Sequence, residues 1–312
     1  DLINGWRQAT PPDAPNRFVI NVMPEQSAAF QQALRAAGVT RFDWYPMIRG
    51  RLVAINGNSV TPPDYVIFDH LGEGMMALMA LGQQAAPDTG WSSTFLDMHV
   101  LPYLGKVAAR GIKVISNAGG LNPHGLAKIL RAEADRLGIA LSIGVVTGDD
   151  LRPMAEELAG EGHRDMFSGQ PWPGKIVSAN AYLGGFPIAE ALGRGADIVI
   201  TGRVVDSALV LGPLIHEFGW RREDYDLLAA GTLAGHLLEC GAQSSGGTFT
   251  DWLDLPDLDN VGFPYAECRA GGSFVLTKHE GTGGAVTFGT VAEQILYEVS
   301  DPAAYLVPDV SC

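Results

Sequence analysis

The sequence predicts an α/β fold: a parallel sheet with helices on both faces, Rossmann-like, followed by a smaller α+β part. Apolar runs without interruption alternate with amphipathic stretches from residue 65 to residue 218. Strands of a parallel sheet are buried on both faces, so they read as continuous apolar runs. Glycine is abundant, at 39 of 312 residues, and stands at the ends of these runs. Glycine in those places indicates loops whose backbone lines a site.

Residues 1–63 are predicted to form a separate N-terminal segment. Short strands are predicted over residues 18–22 and 52–55, where branched residues cluster. A helix is predicted over residues 25–37, because apolar residues at positions 30, 34 and 37 share one helical face. Asn56 and Gly57 predict a tight turn. Thr61, followed by two prolines, marks the boundary with the next segment.

Residues 64–222 carry the predicted parallel sheet. Its strands are short apolar runs bounded by turn residues, and its helices are the amphipathic stretches between them. Strands are predicted over residues 65–68, 112–115, 141–146, 176–178 and 196–200, and helices over 71–84, 123–137, 152–158 and 207–218.

Residues 223–312 are predicted to form the α+β part, because the alternation ends beyond Trp220. A helix is predicted over residues 227–239, and strands over 273–277 and 285–287. We expect this part to be truncated at its C-terminal end. Apolar surface exposed by such a truncation would favour a homo-oligomer.

Charge and composition narrow the classes of partner. Asp and Glu number 35 against 21 Lys and Arg, giving a net charge of −14, which disfavours nucleic acid and leaves a small-molecule substrate. No apolar stretch approaches the 18 residues of a membrane span, and no signal peptide opens the chain. The chain has three cysteines, a small and odd number that argues against a disulfide framework. We therefore expect a cytoplasmic protein.

Polar clusters follow the predicted strands, where parallel sheets bind ligands. Asn117, Gly119 and Gly120 precede a helix and could hold an anion on backbone N–H groups, although a tight strand-to-helix turn explains them equally well. Asp149 and Asp150 stand together before a helix. Two adjacent carboxylates suit acid–base chemistry, but Asp is also a common N-cap residue.

Two further strand-end clusters add candidates for ligand binding. Asn180 and Tyr182 follow the fourth run, and Arg203, Asp206 and Ser207 follow the fifth. Arg203 could hold a carboxylate or phosphate, or form a buried ion pair with Asp206.

Histidines outside these clusters carry weaker signals. Asp69 and His70 follow the first run and could form a metal or acid–base pair, although a lone histidine more often has a structural role. His99 and His124 are scattered and indicate no site. No metal or resident cofactor is predicted.

The C-terminal part contains two motifs. His236 and Cys240 lie one helical turn apart, as an activated thiolate pair would, but a small buried cysteine near a helix end explains the spacing too. The pair could also belong to a metal site, although no second ligand pair stands at zinc-like spacing. Gln243 follows His236 and Cys240. Lys278, with Gly283 and Gly284 after it, could cradle a phosphate or form a hairpin loop. Neither the serine-hydrolase elbow nor the glycine fingerprint of dinucleotide binding is present.

Residues 64–310 resemble the N-terminal domain of the acyclic terpene utilisation (AtuA) family. The resemblance implies catabolism of citronellol- or geraniol-like compounds, with coenzyme A as the carrier of the substrate. The matching segments are Asp64-Tyr-Val-Ile-Phe-Asp-His70, Ser116-Asn-Ala-Gly-Gly-Leu-Asn-Pro123, Thr147-Gly-Asp-Asp150, Asn180-Ala-Tyr-Leu-Gly184, Ala196-Asp-Ile-Val-Ile-Thr-Gly-Arg-Val-Val-Asp-Ser-Ala208, Gly235-His-Leu-Leu-Glu-Cys-Gly-Ala-Gln243 and Gly281-Thr-Gly-Gly284.

Residues 1–60 resemble an extracytoplasmic segment of an FtsX-like ABC-transporter permease. Members of the AtuA family carry a glycine-rich strand and turn before the segment that starts at Asp64, and here it is replaced. A chimeric reading frame joined near Thr61 would explain the change. The permease-like segments are Leu2-Ile-Asn-Gly-Trp6, Pro11-Pro-Asp-Ala-Pro-Asn-Arg-Phe-Val-Ile-Asn21 and Tyr45-Pro-Met-Ile-Arg-Gly-Arg-Leu-Val-Ala-Ile-Asn-Gly57.

The sequence thus predicts an enzyme that acts on a small acyl compound, a CoA thioester, by hydration, lyase cleavage or hydrolysis. Anions would be held by Asn117, Gly119, Gly120 and Arg203; Asp149, Asp150 and Asp206 would transfer protons, and Cys240 with His236 would supply a nucleophile. One alternative is an ester or lactone hydrolase with Ser207, Ser244 or Cys240 as nucleophile. Another is a non-catalytic binding module or an inactive chimera.

Overall fold

The computed structural model describes residues 27–38, 54–55, 58–59, 63–166 and 168–310. The chain divides into two compact units, residues 1–53 and 54–312. In the first, helix α1 spans Ser27–Ala36, within the range that the apolar spacing predicts, and Gly38 follows it with a φ of +80°. The predicted strand over residues 18–22 lies outside the described residues.

The second unit opens with two very short strands. Strand β1 (Ala54–Ile55) pairs antiparallel with β2 (Asn58–Ser59). The predicted turn at Asn56 and Gly57 lies between them, outside the described residues. Antiparallel strands separated by two residues are the arrangement that an Asn-Gly pair favours.

A four-stranded parallel sheet forms the centre of the second unit. Its strands are β3 (Tyr65–Phe68), β4 (Lys113–Ser116), β5 (Ile143–Val146) and β6 (Ile198–Thr201), in the order β3-β4-β6-β5. Every neighbouring pair is parallel. The prediction of a parallel α/β sheet is confirmed. The strand order differs from the 3-2-1-4-5-6 of the Rossmann fold.

One predicted strand of this sheet does not form. Residues 176–178 are irregular, and Asn180 makes an isolated antiparallel bridge to Asp150. The run holds two branched residues among glycines and prolines, so it is too short to pair in the sheet. The loop carrying Asn180 and Tyr182 therefore comes from an irregular segment, not from a strand end.

Helices cover both faces of the sheet, as predicted. Alternate residues of the central strand β6 point to opposite faces: Ile198 and Ile200 pack with one core cluster and Val199 with the other. The first cluster contains residues of α3 (Leu104–Arg110) and α4 (Pro123–Arg136), and the second contains residues of α6 (Phe186–Gly193) and α7 (Ala208–Phe218).

The remaining helices of this region connect these elements. Helix α2 spans Glu73–Ala85, and a π-helical turn, Phe95–Val100, leads through the 3₁₀ turn Leu101–Tyr103 into α3. The predicted helix over residues 152–158 is split into the 3₁₀ turn Arg152–Met154 and α5 (Ala155–Gly160).

The C-terminal part is α+β, as predicted. It contains α8 (Tyr225–Leu238), an antiparallel pair of β7 (Pro264–Cys268) and β8 (Phe274–Lys278), and α9 (Phe288–Glu298). Strand β7 was not predicted from the sequence, because it starts with a proline, a residue that is uncommon in strands. The predicted strand over residues 285–287 is wrong, because the Thr287 side chain accepts from Thr290 N and caps α9. Among the described helices, none is both long and apolar enough to cross a membrane.

Candidate functional site

The carboxyl ends of the four parallel strands bring their polar loops to one edge of the sheet. Asn117, after β4, is fully buried. Its Oδ1 accepts from His70 N at 2.8 Å, and its amide donates to Asp69, so the loops after β3 and β4 are joined. Asn117 thus positions Asp69 and His70 and has little surface left for an anion.

Arg203 is the buried cation of this edge, with 3% of its surface exposed. Its Nη1 donates to Asp206 Oδ1 at 2.8 Å and to Leu71 O. Its guanidinium stacks on the ring of Tyr182 at 4.2 Å, and the Tyr182 hydroxyl donates to Glu73. Of the two interpretations of Arg203, the ion pair with Asp206 is the one that forms.

Asp149 and Asp150 have different hydrogen-bond partners. Asp149 is buried and accepts from Arg203 N at 2.7 Å and from Asn180 Nδ2 at 2.8 Å. Burial nevertheless raises the pKa of Asp149. Asp150 pairs with Arg152 at 2.7 Å, and the hydrogen bonds from Arg152 lower the pKa of Asp150. Asp149 therefore holds the loop of Arg203 in place, and Asp150 forms a local ion pair.

Gly119 and Gly120 are explained by close packing of the backbone. A Cβ on Gly119 would lie 2.5 Å from Thr201 O, and one on Gly120 would lie 2.6 Å from Gly90 O. Asn122 caps α4 by accepting from Gly125 N at 2.9 Å.

A cleft of about 250 Å³ lies beside this turn. It is lined by the start of α4 and the loop after β5: Gly120, Leu121, Asn122, Pro123, His124, Thr147, Gly148, Asp149 and Asp150.

Four carboxyl groups meet beside Arg203, and we call them the carboxylate cluster: Asp69, Asp206, Glu239 and Glu298. One carboxylate oxygen each from Asp69, Asp206 and Glu239 lie within 4.8 Å of one another. Glu239 forms a second such group with His236 and Glu298. Elements from both parts of the second unit build this cluster, because Asp69 follows β3 and Glu298 ends α9.

Burial and crowding of charge shift the pKa values of the cluster. Burial and the Asp69 carboxylate raise the pKa of Asp206 to about 7, although Arg203 opposes the shift. Burial, with the charges of Glu298 and Asp69, raises the pKa of Glu239 to about 10. Burial alone would raise the pKa of Glu298, but hydrogen bonds from His236, Cys240 and Glu239 outweigh it and lower that pKa. Buried carboxylates of like charge cannot all ionise together.

His236 and Cys240 both contact Glu298. The nitrogen His236 Nδ1 lies 3.5 Å from Glu298 Oε2, and Cys240 Sγ lies 3.3 Å from Glu298 Oε1. Burial and the neighbouring Glu239 raise the pKa of the Cys240 thiol. A protonated thiol is a poor nucleophile, so these surroundings do not support the interpretation of Cys240 as a thiolate activated by His236.

The predicted phosphate cradle is filled by the protein's own chain. Lys278 Nζ donates to Thr282 O at 2.7 Å. Gly283 N donates to Asn260 O at 2.8 Å, and Gly284 N donates to Pro256 O at 2.7 Å. The hairpin alternative is also wrong, because β8 pairs with β7 and no strand follows at residues 285–287.

Three further candidates lie close to α8. Ser207 is fully buried, and within the described ranges its Oγ has no hydrogen-bond partner. Ser244 Oγ donates to Leu237 O at 2.6 Å. Gln243 begins the 3₁₀ turn Gln243–Ser245. Neither serine is exposed to solvent, which disfavours both as nucleophiles.

Sequence reasoning missed Glu239, Glu298 and Tyr305. Tyr305 contacts His236 Nε2 through its hydroxyl. Glu239 had a local signal, since residues three apart share a helix face and it follows His236 by three. Glu298 and Tyr305 had no local signal, because they follow His236 in the chain by about sixty residues or more. His99, for which the sequence indicated no site, lies with its Nδ1 3.2 Å from His70 Nε2.

Comparison with known proteins gives two matches. The family model described as "Acyclic terpene utilisation family protein AtuA" matches residues 49–312. A protein of Escherichia coli (strain K12) described as "Uncharacterized ABC transporter permease YbbP" is 41% identical over 56 residues, or 18% of this chain. The chain covers 7% of the length of that permease. No solved structure matches. Both expected resemblances are confirmed, and the match to the family model begins at residue 49, ahead of residue 64.

Proposed function

The chain belongs to the acyclic terpene utilisation (AtuA) family, and from that membership we propose that it is an enzyme acting on a small acyl compound carried as a CoA thioester. The family has a role in acyclic terpene utilisation, and its model covers the sheet and the carboxylate cluster. We place the reaction at the carboxyl edge of the sheet, where open α/β folds bind their ligands.

The observation that carries the proposal is the position of Asp206. Its side chain is 24% exposed, while its partner Arg203 is 4% exposed, so Asp206 faces both the solvent and the buried cluster. A carboxyl whose pKa is about 7 can accept or donate a proton at neutral pH. Burial and the repulsion of the Asp69 carboxylate raise this pKa, and the attraction of Arg203 opposes the rise.

Acid–base chemistry of this kind fits hydration or lyase cleavage next to the thioester carbonyl. Both reactions move a proton at carbon or at a hydroxyl and need no protein nucleophile. The alternative of an ester or lactone hydrolase has less support, because Ser207 and Ser244 are buried and Cys240 is held as a thiol.

Turnover by the purified chain tests the proposal. We expect addition of water to a branched, unsaturated acyl-CoA, or loss of water from the corresponding hydroxyacyl-CoA, and mass spectrometry detects the change in mass. Asp206→Asn should lower kcat at least about 100-fold, the scale of a lost general acid or base. Asp226→Asn is the matched control, since Asp226 is exposed in the first turn of α8.

Two outcomes of the turnover test would contradict the proposed function. Wild-type turnover of a simple ester, with none of any thioester, would favour the hydrolase alternative. A folded wild-type chain that turns over neither would favour the non-catalytic binding module.

A further inference from the structure

We propose that His236, Glu239 and Glu298 bind one divalent first-row transition-metal ion. His236 and Glu239 lie three residues apart at the C-terminal end of α8, and Glu298 is the last residue of α9. One donor atom from each lies within 4.8 Å of the other two. Donors that are each about 2.0–2.2 Å from one ion lie on the order of 3–4 Å apart, so only small movements are needed.

Two of the three donors are buried without an ordinary hydrogen bond. Glu239 is 7% exposed and His236 is 2% exposed. Within the part of the chain that the structure describes, Glu239 Oε1 has no hydrogen-bond partner, and His236 Nδ1 lies 3.5 Å from Glu298 Oε2, beyond the range of about 2.7–3.2 Å of an ordinary hydrogen bond. Buried polar atoms in native proteins are nearly always satisfied. An ion between these side chains satisfies both atoms at once.

The surroundings of His236 orient its ring for such a role. The Tyr305 hydroxyl lies against Nε2, on the side of the ring away from Nδ1. A proton on Nε2 that donates to the Tyr305 oxygen leaves the lone pair of Nδ1 directed toward Glu298. Gln294 Nε2 also donates to His236 O at 2.8 Å. Histidine ligands are commonly fixed by a hydrogen bond from their second ring nitrogen.

The charge balance also calls for a cation. The carboxylate cluster has four carboxyl groups, and the one that pairs with Arg203 is Asp206. Asp69 forms a further group with Glu239 and Asp206, so its carboxylate can supply another oxygen ligand. An imidazole donor among carboxylates suits Zn²⁺, Mn²⁺ or Fe²⁺ better than Ca²⁺ or Mg²⁺. The competing explanation is a cluster of carboxyls that share protons and hold no ion.

Titration of the chelator-stripped full chain with Co²⁺ tests the proposal. Bound Co²⁺ absorbs visible light, so the absorption reports both occupancy and stoichiometry. We expect saturation at one ion per chain. Glu239→Gln and Glu298→Gln keep the side-chain shape but remove a charged ligand, and each should weaken binding at least about 100-fold.

Glu293→Gln is the matched control. Glu293 lies on the same helix as Glu298, but its carboxylate accepts from Thr250 N at 3.0 Å, so this variant should bind Co²⁺ like the wild type. Tyr305→Phe keeps all three ligands and should weaken binding about 10-fold, the lower end of the effect of such supporting contacts.

The result decides between an ion and shared protons. A stripped wild type that shows no saturable Co²⁺ absorption overturns the proposal, as do Gln variants that bind like the wild type. If both Gln variants fail to fold, the comparison of the wild type with Tyr305→Phe and Glu293→Gln still distinguishes the two explanations. Carboxyl groups that share protons and hold no ion predict that Co²⁺ saturates none of these three proteins. Binding is measured without substrate, so this outcome is independent of the turnover test.

Discussion

Asp206 is a residue whose surroundings change its chemistry. An exposed aspartate would be ionised at neutral pH, but here burial and Asp69 raise its pKa to about 7. The sequence predicted acid–base chemistry at Asp206 or an ion pair with Arg203, and in the structure the ion pair forms at a carboxyl group whose pKa is raised. It could not indicate the shift, because Asp69 stands 137 positions earlier in the chain.

Asp149 and Asp150 show the limit of reasoning from adjacent residues. Their neighbourhood in sequence predicted a coupled pair of carboxylates. The turn after β5 directs one to Arg203 N and the other to Arg152. Adjacent side chains on an extended backbone point in opposite directions. The two neighbouring carboxylates therefore contact different groups.

The raised pKa of Asp206 predicts how stability varies with pH. Its protonated form stabilises the fold fully below its unfolded value of 3.8, and this contribution is lost as the pH rises through about 7. We expect the free energy of unfolding to fall across this window by at most about 4 kcal/mol, at about 1.4 kcal/mol per pKa unit. Asp206→Asn should flatten that slope.

Urea unfolding of both proteins between pH 4 and pH 7, with chelator present, measures the slopes. The comparison is between slopes, since Asp206→Asn also removes the partner of Arg203 and shifts the whole curve. Equal slopes would show that Asp206 titrates as an ordinary carboxyl.

Elements with a strong apolar pattern were predictable. Strand β3 coincides with its predicted range, and β4, β5 and β6 lie within two residues of theirs. Each is a short, mainly apolar run whose side chains pack against both core clusters, so local propensity and packing agree. Residues 176–178 and 285–287 have the same residue types in shorter runs, and other contacts decide their structure.

Helix α9 depends on its N-terminal cap. Thr287 and Thr290 exchange hydrogen bonds in a capping box, and α9 carries Glu298 at its other end. Thr287→Ala removes the acceptor for Thr290 N and should lower the free energy of unfolding by about 1 kcal/mol.

Thr287→Ser keeps the hydroxyl and is the matched control, which we expect to stay within about 0.5 kcal/mol of the wild type. Chemical denaturation of the three proteins under the same conditions gives the comparison. Equal losses in both variants would point to the missing methyl group and away from the cap.

The whole molecule combines a family domain with a different N-terminal unit. The match to the family model starts at residue 49, and the second compact unit starts at residue 54. The sequence placed the change near residue 61 from the two resemblances that meet there and from the Thr-Pro-Pro boundary. Local patterns do not give the exact position of the change, because apolar residues and turn residues alternate throughout residues 49–63. Cytoplasmic location and a homo-oligomeric state stay predictions.

Removal of residues 1–53 should leave the second unit folded. Among the residues that the structure describes, its core clusters consist of residues that lie after position 64. We expect the shortened chain to unfold cooperatively, with a Tm within about 4 °C of the full chain, the shift that about 1 kcal/mol produces at this size. Differential scanning calorimetry of both chains measures it. A broad transition would mean that the N-terminal unit is needed for the second to fold.

The grouping of the proposed metal ligands could be found only at this largest scale. His236 and Glu298 are 62 positions apart, and packing of α9 against α8 brings them together. Local periodicity predicts each helix but carries no information about which helix faces which.

The order of strands in the sheet also governs when the sheet can assemble during synthesis. Strand β6 lies between β4 and β5, although it is the last of the four to leave the ribosome. Until residue 201 has emerged, β5 has no neighbouring strand with which to pair, and its apolar side chains lack the packing that the complete sheet provides. Pairing across such a gap must await loop closure and is slow. The nascent chain therefore holds a β3-β4 pair and an unpaired third strand, and the arrival of β6 closes all the remaining sheet contacts in one late step.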